Sequence, residues 1–67
     1  MTIGANIRNK RIQRDLSQNE LAKLSGVSKP MISAIERDQR TPSVTVAQKI
    51  ARTLRCTVDE LLDGAAS

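Results

Sequence analysis

The chain has no aromatic residue and no histidine, and only one cysteine, two prolines and three glycines among its 67 residues. Without aromatics there are no stacking platforms of the kind that single-stranded nucleic acid recognition relies on. A duplex read through its phosphates and groove edges needs none. With no His and a single Cys there is no zinc site, and neither a metal nor another cofactor is expected. Cys56 cannot form an internal disulfide, which fits a reducing cytoplasm, the expected location. It reads as a small buried hydrophobe. No apolar run approaches the roughly 18 residues of a membrane span. The opening residues lack the charged-then-apolar form of a secretory signal. No segment is β-rich, low in complexity or repeated. The carboxylates scatter along expected helix ends, where caps account for them, so the sequence points away from an enzyme.

Cations are plentiful by comparison. The formal net charge is +4, with a pI near 10.0. Arg8, Lys10, Arg11 and Arg14 face only Asp15 in residues 1–16, a local charge of +3. Residues 17–40 carry +1, and residues 41–67 are neutral. The positive potential therefore belongs to the first three expected helices. A polyanion is its natural partner, although a solvated basic face would look the same.

Sixty-seven residues allow one domain, 1–67, with a small core that depends on good caps, a ligand or a partner subunit. Its organising stretch is Gln18–Arg37, QNELAKLSGVSKPMISAIER. The spacing predicts a helix over 18–25, a turn at Gly26-Val27 and a second helix from Ser28 to about Arg37. Leu21, Leu24 and Ser25 fall on one side of the first helix. Gly26 supplies the positive φ of a helix C-terminus. Ser28 can cap the next helix, and Pro30 falls in its first turn, where a missing N–H does no harm. Met31, Ile32 and Ile35 form its inward stripe. This is a helix-turn-helix, whose second helix can enter a DNA major groove. By itself the geometry fits an ordinary αα-hairpin equally well.

The flanking segments complete an all-α pattern. Residues 3–14 read as a first helix whose inward side carries Ile3, Ile7 and Arg11, with Ile12 opposite. Leu16 turns into the core. Ser17 and Glu20 form a capping box that starts the second helix and sets Gln18 in its first turn. A helix N-terminus attracts anions, so Gln18 is either a phosphate neighbour or a plain surface residue. Pro42 stops the polar loop Arg37-Asp38-Gln39-Arg40, and Ser43 caps a fourth helix. Its inward stripe is Val44, Ala47, Ile50, Ala51 and Leu54, with Lys49 and Arg52 facing water. Thr57 and Glu60 form a second capping box ahead of a short fifth helix bearing Val58, Leu61 and Leu62. Residues 64–67 read as a frayed tail.

Taken together, LSQNELAKLSGVS, ISAIE at 32–36, TPS at 41–43 and TVDELL near the end resemble the lambda-repressor-like, Cro/C1-type (XRE) helix-turn-helix domain. The likeness runs from Ile7 to Leu62. It implies a compact five-helix fold and sequence-specific binding to double-stranded DNA. It also implies that Gln18 touches phosphate and braces the recognition helix. Lys29 and Pro30, then Ser33 and Ala34, match the exposed positions of that helix where base contacts are made. Arg11 and Glu36 match a buried ion pair tying helix 1 to helix 3. Two departures stand out. Pro30 can offer only an apolar contact where the family often has a hydrogen-bonding side chain. Arg55 stands where the family usually has Gly, which implies strain if its φ is positive.

The resulting expectation is a dimeric transcriptional regulator, a repressor or autoregulator, on a palindromic operator. The expected DNA-facing set is Gln18, Asn19, Ser28, Lys29, Pro30, Ser33, Ala34, Arg37, Gln39 and Arg40. Val58, Leu61 and Leu62 are the candidate homodimer interface, or else simply core. No small-molecule ligand and no membrane partner are expected. The alternative is a protein-interaction module on the same fold, an antitoxin or coactivator-like adaptor.

Overall fold

A computed structural model describes residues 2–63 of the chain. They form five helices: α1 (Ile3–Gln13), α2 (Gln18–Ser25), α3 (Lys29–Glu36), α4 (Val44–Thr53) and α5 (Val58–Leu62). The expected tail at 64–67 lies outside the described residues. None of the described helices is long and apolar enough to cross a membrane.

Every helix starts on a side-chain cap. Thr2, Ser17, Ser28, Ser43 and Thr57 each accept from the amide three residues on. Each cap satisfies one of the amides a helix start leaves without a carbonyl partner. Both capping boxes close, with Glu20 accepting from the Ser17 amide at 2.9 Å and Glu60 from the Thr57 amide at 3.2 Å. These backbone hydrogen bonds stabilise the ionised carboxylates and hold both below the usual carboxylate range, with Lys10 adding to the effect at Glu60.

The helix ends were less legible. Gly26 is left-handed, φ 76°, as its position predicts. Three other left-handed residues are not glycine: Asp15 (φ 56°), Asp38 (φ 61°) and Arg55 (φ 56°). Each closes the same motif. After α4, the Arg55 amide donates to the Arg52 carbonyl and the Cys56 amide to the Ala51 carbonyl. The same pair of bonds recurs at Asp15–Leu16 and at Asp38–Gln39. This double closure satisfies the last carbonyls and fixes the exit of the chain. Its requirement for positive φ strains a residue with a Cβ by about 1–2 kcal/mol. Arg55→Gly removes that strain and returns less than about 1 kcal/mol as extra freedom of the unfolded chain. A higher melting temperature is expected, and a lower one in thermal denaturation would contradict the strain.

Ile7, Leu21, Ile32, Ile35, Ile50, Leu54 and Leu61 are fully buried and form one core. Ile3, Leu16, Met31, Val46, Cys56 and Val58 pack around it. The half-buried Cys56 thiol is pushed up by burial, as suits a packing residue. Two expected apolar positions face water instead. Leu24 is 66% exposed, because α2 presents Gln18, Leu21, Ala22 and Ser25 inward and Leu24 lies off that arc. Val44 is 73% exposed at the first position of α4, and the packed stripe begins later, at Val46 and Ala47. Ile12 is exposed, as its place on the wheel predicts.

The packing order frees one side of α3. This helix lies against α1 and α2, α2 also meets α4, and α5 bridges α1 and α4.

Candidate nucleic-acid interface

The underside of α3 is fixed by an ion pair that the apolar pattern alone would not reveal. Arg11 Nε donates to Glu36 Oε2 at 2.8 Å, and Arg11 Nη2 to Glu36 Oε1 at 3.1 Å. Such a two-pronged pair fixes orientation as well as distance. The Arg11 side chain is 13% exposed and that of Glu36 only 3%. Gln18 Nε2 donates to the same Glu36 Oε1 at 3.1 Å, and Arg11 Nη1 donates to the Leu16 carbonyl at 2.7 Å. One carboxylate thus joins α1, the start of α2 and the end of α3. Gln18 is half-buried and its amide nitrogen is turned towards Glu36. The amides of Gln18 and Asn19, in the first turn of α2, have no carbonyl to bond within the helix.

A second tie sits at the other end of α1. Gly4 is buried against the exit of α3, so close that an added Cβ would fall on the Ile35 carbonyl oxygen and lie 2.7 Å from Asp38 Oδ1. Both ties land at the C-terminal end of α3, at Ile35 and Glu36, and leave its leading end at Lys29 clear.

Its outer face is open. Lys29, Pro30 and Arg37 are exposed, and Ser33 and Ala34 are half-buried between them. Lys29, Pro30, Ser33 and Arg37 lie within about one third of the helical circumference. Ser28 caps the helix, with its hydroxyl accepting from the Met31 amide at 3.3 Å, so the helix proper begins one residue later than the sequence spacing predicts. Pro30 occupies the first turn. Arg37 Nε donates back to the Ser33 carbonyl at 3.4 Å, while the side chain stays exposed. Asn19, Gln39 and Arg40 are exposed in the flanking segments. A shallow groove runs along the turn, lined by Asn19, Lys23, Val27 and Ser28. The expected DNA-facing residues thus fall on two consecutive helices and the loop after them. Gln18 is the one held mainly from inside.

A family model, HTH_3, helix-turn-helix, matches residues 7–61. The chain belongs to the helix-turn-helix family. Over 58 residues it is 42% identical to an uncharacterized HTH-type transcriptional regulator of Mycobacterium tuberculosis, MT0491, covering 87% of this chain and 41% of that protein. The chain therefore spans less than half the length of that curated relative. Two solved structures are similar to this helix-turn-helix chain as well. The restriction-modification controller protein C.AhdI of Aeromonas hydrophila superposes with a TM-score of 0.85 at 36% identity, covering 88% of this chain and 89% of that one. The DNA-binding domain of the P22 C2 repressor superposes with a TM-score of 0.90 at 33% identity, covering 100% and 88%.

Among the candidate interface residues of α5, Leu61 is fully buried and serves the core. A fully enclosed side chain cannot meet a second copy, so Leu61 is core and not interface. Leu62 is 44% exposed and Val58 half-buried. Sequence reasoning passed over Asn6. It is buried near the start of α1, with its Nδ2 on the carbonyls of Leu61 in α5 and of Asp63, the residue that ends it. Its partners lie 55 residues away or more, and nothing in the local pattern marks it.

Proposed function

We propose that this helix-turn-helix chain is a sequence-specific, double-stranded DNA-binding transcriptional regulator. It acts in the cytoplasm as a repressor or autoregulator, as a homodimer on a pseudo-palindromic operator. The observation that carries the proposal is the exposed leading end of α3, with Lys29 and Pro30 outermost and the opposite face locked to α1 and α2. A rigid helix with a free polar edge is what reading a major groove requires. The names of the relatives, a transcriptional regulator, a restriction-modification controller and a repressor, support the same reading.

In this account phosphates are met by the free amides of Gln18 and Asn19 and by Gln39 and Arg40. These contacts set register and carry no sequence information. Lys29 and Ser33 address base edges, Lys29 favouring guanine O6 and N7, while Pro30 and Ala34 offer apolar contact to a thymine methyl. One module of this size presents a small surface, so two copies on half-sites about 34 Å apart give the affinity. Leu62, with the exposed edge of Val58, is the contact between them.

Selection from a random duplex pool tests the proposal. The wild type should enrich a two-fold symmetric sequence, with binding that weakens steeply as salt rises. Lys29→Ala should lose roughly 1–3 kcal/mol of discrimination at one position in each half-site. No enrichment at all would contradict DNA reading. Unchanged preference in Lys29→Ala would remove that residue from the reading set.

A further inference from the structure

We propose that Asn6 is a positioning residue for the homodimer: it clamps the end of α5 and so sets where Leu62 meets a second copy of the chain. The inference rests on the dimer reading above. It starts from the length of α5, five residues. A helix that short has no stability of its own. Its orientation is whatever its anchors impose.

The anchors are few: α5 packs on α1 and α4 through Leu61 and Val58, and its side-chain hydrogen bonds to another helix come from α1. Leu61 is buried in the core. At the start of α5, Lys10 Nζ lies 3.3 Å from Glu60 Oε2, an exposed pair of little weight. At its end, both hydrogens of Asn6 Nδ2 are used. One goes to the Leu61 carbonyl at 2.9 Å and the other to the Asp63 carbonyl at 2.8 Å. These carbonyls belong to the residues on either side of Leu62. The first is a last-turn carbonyl and the second belongs to the C-cap residue, and the helix satisfies neither by itself. Asn6 lies 55 residues away in sequence from the first of them and is buried.

The consequence for Leu62 is direct. Its backbone is gripped on both sides while its own side chain stays 44% exposed. Helical periodicity turns Leu61 in and Leu62 out, and the two hydrogen bonds fix the backbone on which both stand. Without the clamp the enclosed Leu61 carbonyl loses its partner, and it reaches water only as the end of α5 lifts from α1. Leu62 moves with it. α3 is held from its inner side by Arg11, Glu36 and Gly4 instead, so half-site reading is not expected to change.

The experiment uses the whole chain, on sedimentation equilibrium and on duplexes bearing one half-site or the full site. Wild type, Asn6→Ala and a core control, Ile50→Val, are compared below their melting temperatures. The wild type should dimerise. Asn6→Ala should weaken dimerisation and full-site binding about tenfold, from two lost hydrogen bonds, with half-site affinity unchanged. Ile50→Val should lower the melting temperature and dimerise like wild type. A second measurement needs no substitution. Coupling is reciprocal, so exchange of the Asn6 side-chain amide hydrogens should slow on full-site but not on half-site DNA. A dimeric wild type with equally dimeric Asn6→Ala, or with unchanged Asn6 exchange, overturns the role of Asn6 and leaves the dimer standing. A wild type that is monomeric on and off the full site overturns the dimer, and Asn6 with it.

Discussion

Glu36→Ala is expected to remove most of the stability of this domain. The carboxylate is almost wholly enclosed, and it accepts from Arg11 twice and from Gln18 once. Taking it away leaves a guanidinium in low dielectric with only the Leu16 carbonyl as partner. Breaking such a pair from one side costs roughly 3–5 kcal/mol. A 67-residue domain has about 3–10 kcal/mol in all. Chemical denaturation should therefore find the variant largely unfolded or shifted far towards lower denaturant. Most of that loss comes from the stranded charge and only a little from the attraction itself. The double variant Arg11→Met, Glu36→Leu should accordingly recover a good part of it. A Glu36→Ala protein as stable as wild type would refute the pair as the tie between α1 and α3.

Gly4→Ala is the second large effect, and its sign is the reverse of the usual one. In an open helix the change to alanine stabilises by about 1 kcal/mol. Here the new methyl meets a main-chain carbonyl, that of Ile35, and then the Asp38 carboxylate. A side chain could swing aside, but a helix backbone cannot without moving α1 off α3. Overpacking of this kind costs about 1–3 kcal/mol or more. Gly26→Ala makes the instructive comparison. It meets nothing within 4 Å and carries only the penalty of its positive φ, about 1 kcal/mol. Thermal melts should rank wild type above Gly26→Ala and Gly26→Ala above Gly4→Ala. Removing the Asp38 carboxylate should not rescue Gly4→Ala, since the nearer obstacle is backbone. A Gly4→Ala variant more stable than wild type would show that the two helices do not touch there.

The elements that were easiest to read are those whose physics is local. Ser17 with Glu20 and Thr57 with Glu60 announce helix starts within four residues, and both boxes close. Gly26 before Ser28 and Pro30 spells a turn and a new helix with no reference to the rest of the chain. The strain at Arg55 was legible only through the family resemblance, and its φ of 56° bears that out. Asp15 and Asp38 escaped notice because a left-handed cap is a matter of where the next element must go, and many residues accept it when the geometry demands. Gly4 and Asn6 were missed for a related reason. Each answers to a residue far along the chain, Ile35 for one and Leu61 for the other. Leu24 and Val44 show the converse error: apolar residues at helical spacing that the packed faces do not reach. Arg11 was the informative exception. Its place on an inward stripe was legible from periodicity, whereas its pairing with Glu36 was implied only by the family resemblance, and the two-pronged contact is there.

The central claim is that α3 offers its free edge to a DNA groove while α1 and α2 hold it from behind. Backbone amide shifts of the isotope-labelled chain, followed during titration with a selected duplex, test it most directly. The account predicts the largest changes at Lys29, Ser33 and the first turn of α2, with smaller ones at Gln39 and Arg40. Changes confined to α1 and α5, with Lys29 and Ser33 unmoved at saturation, would contradict it.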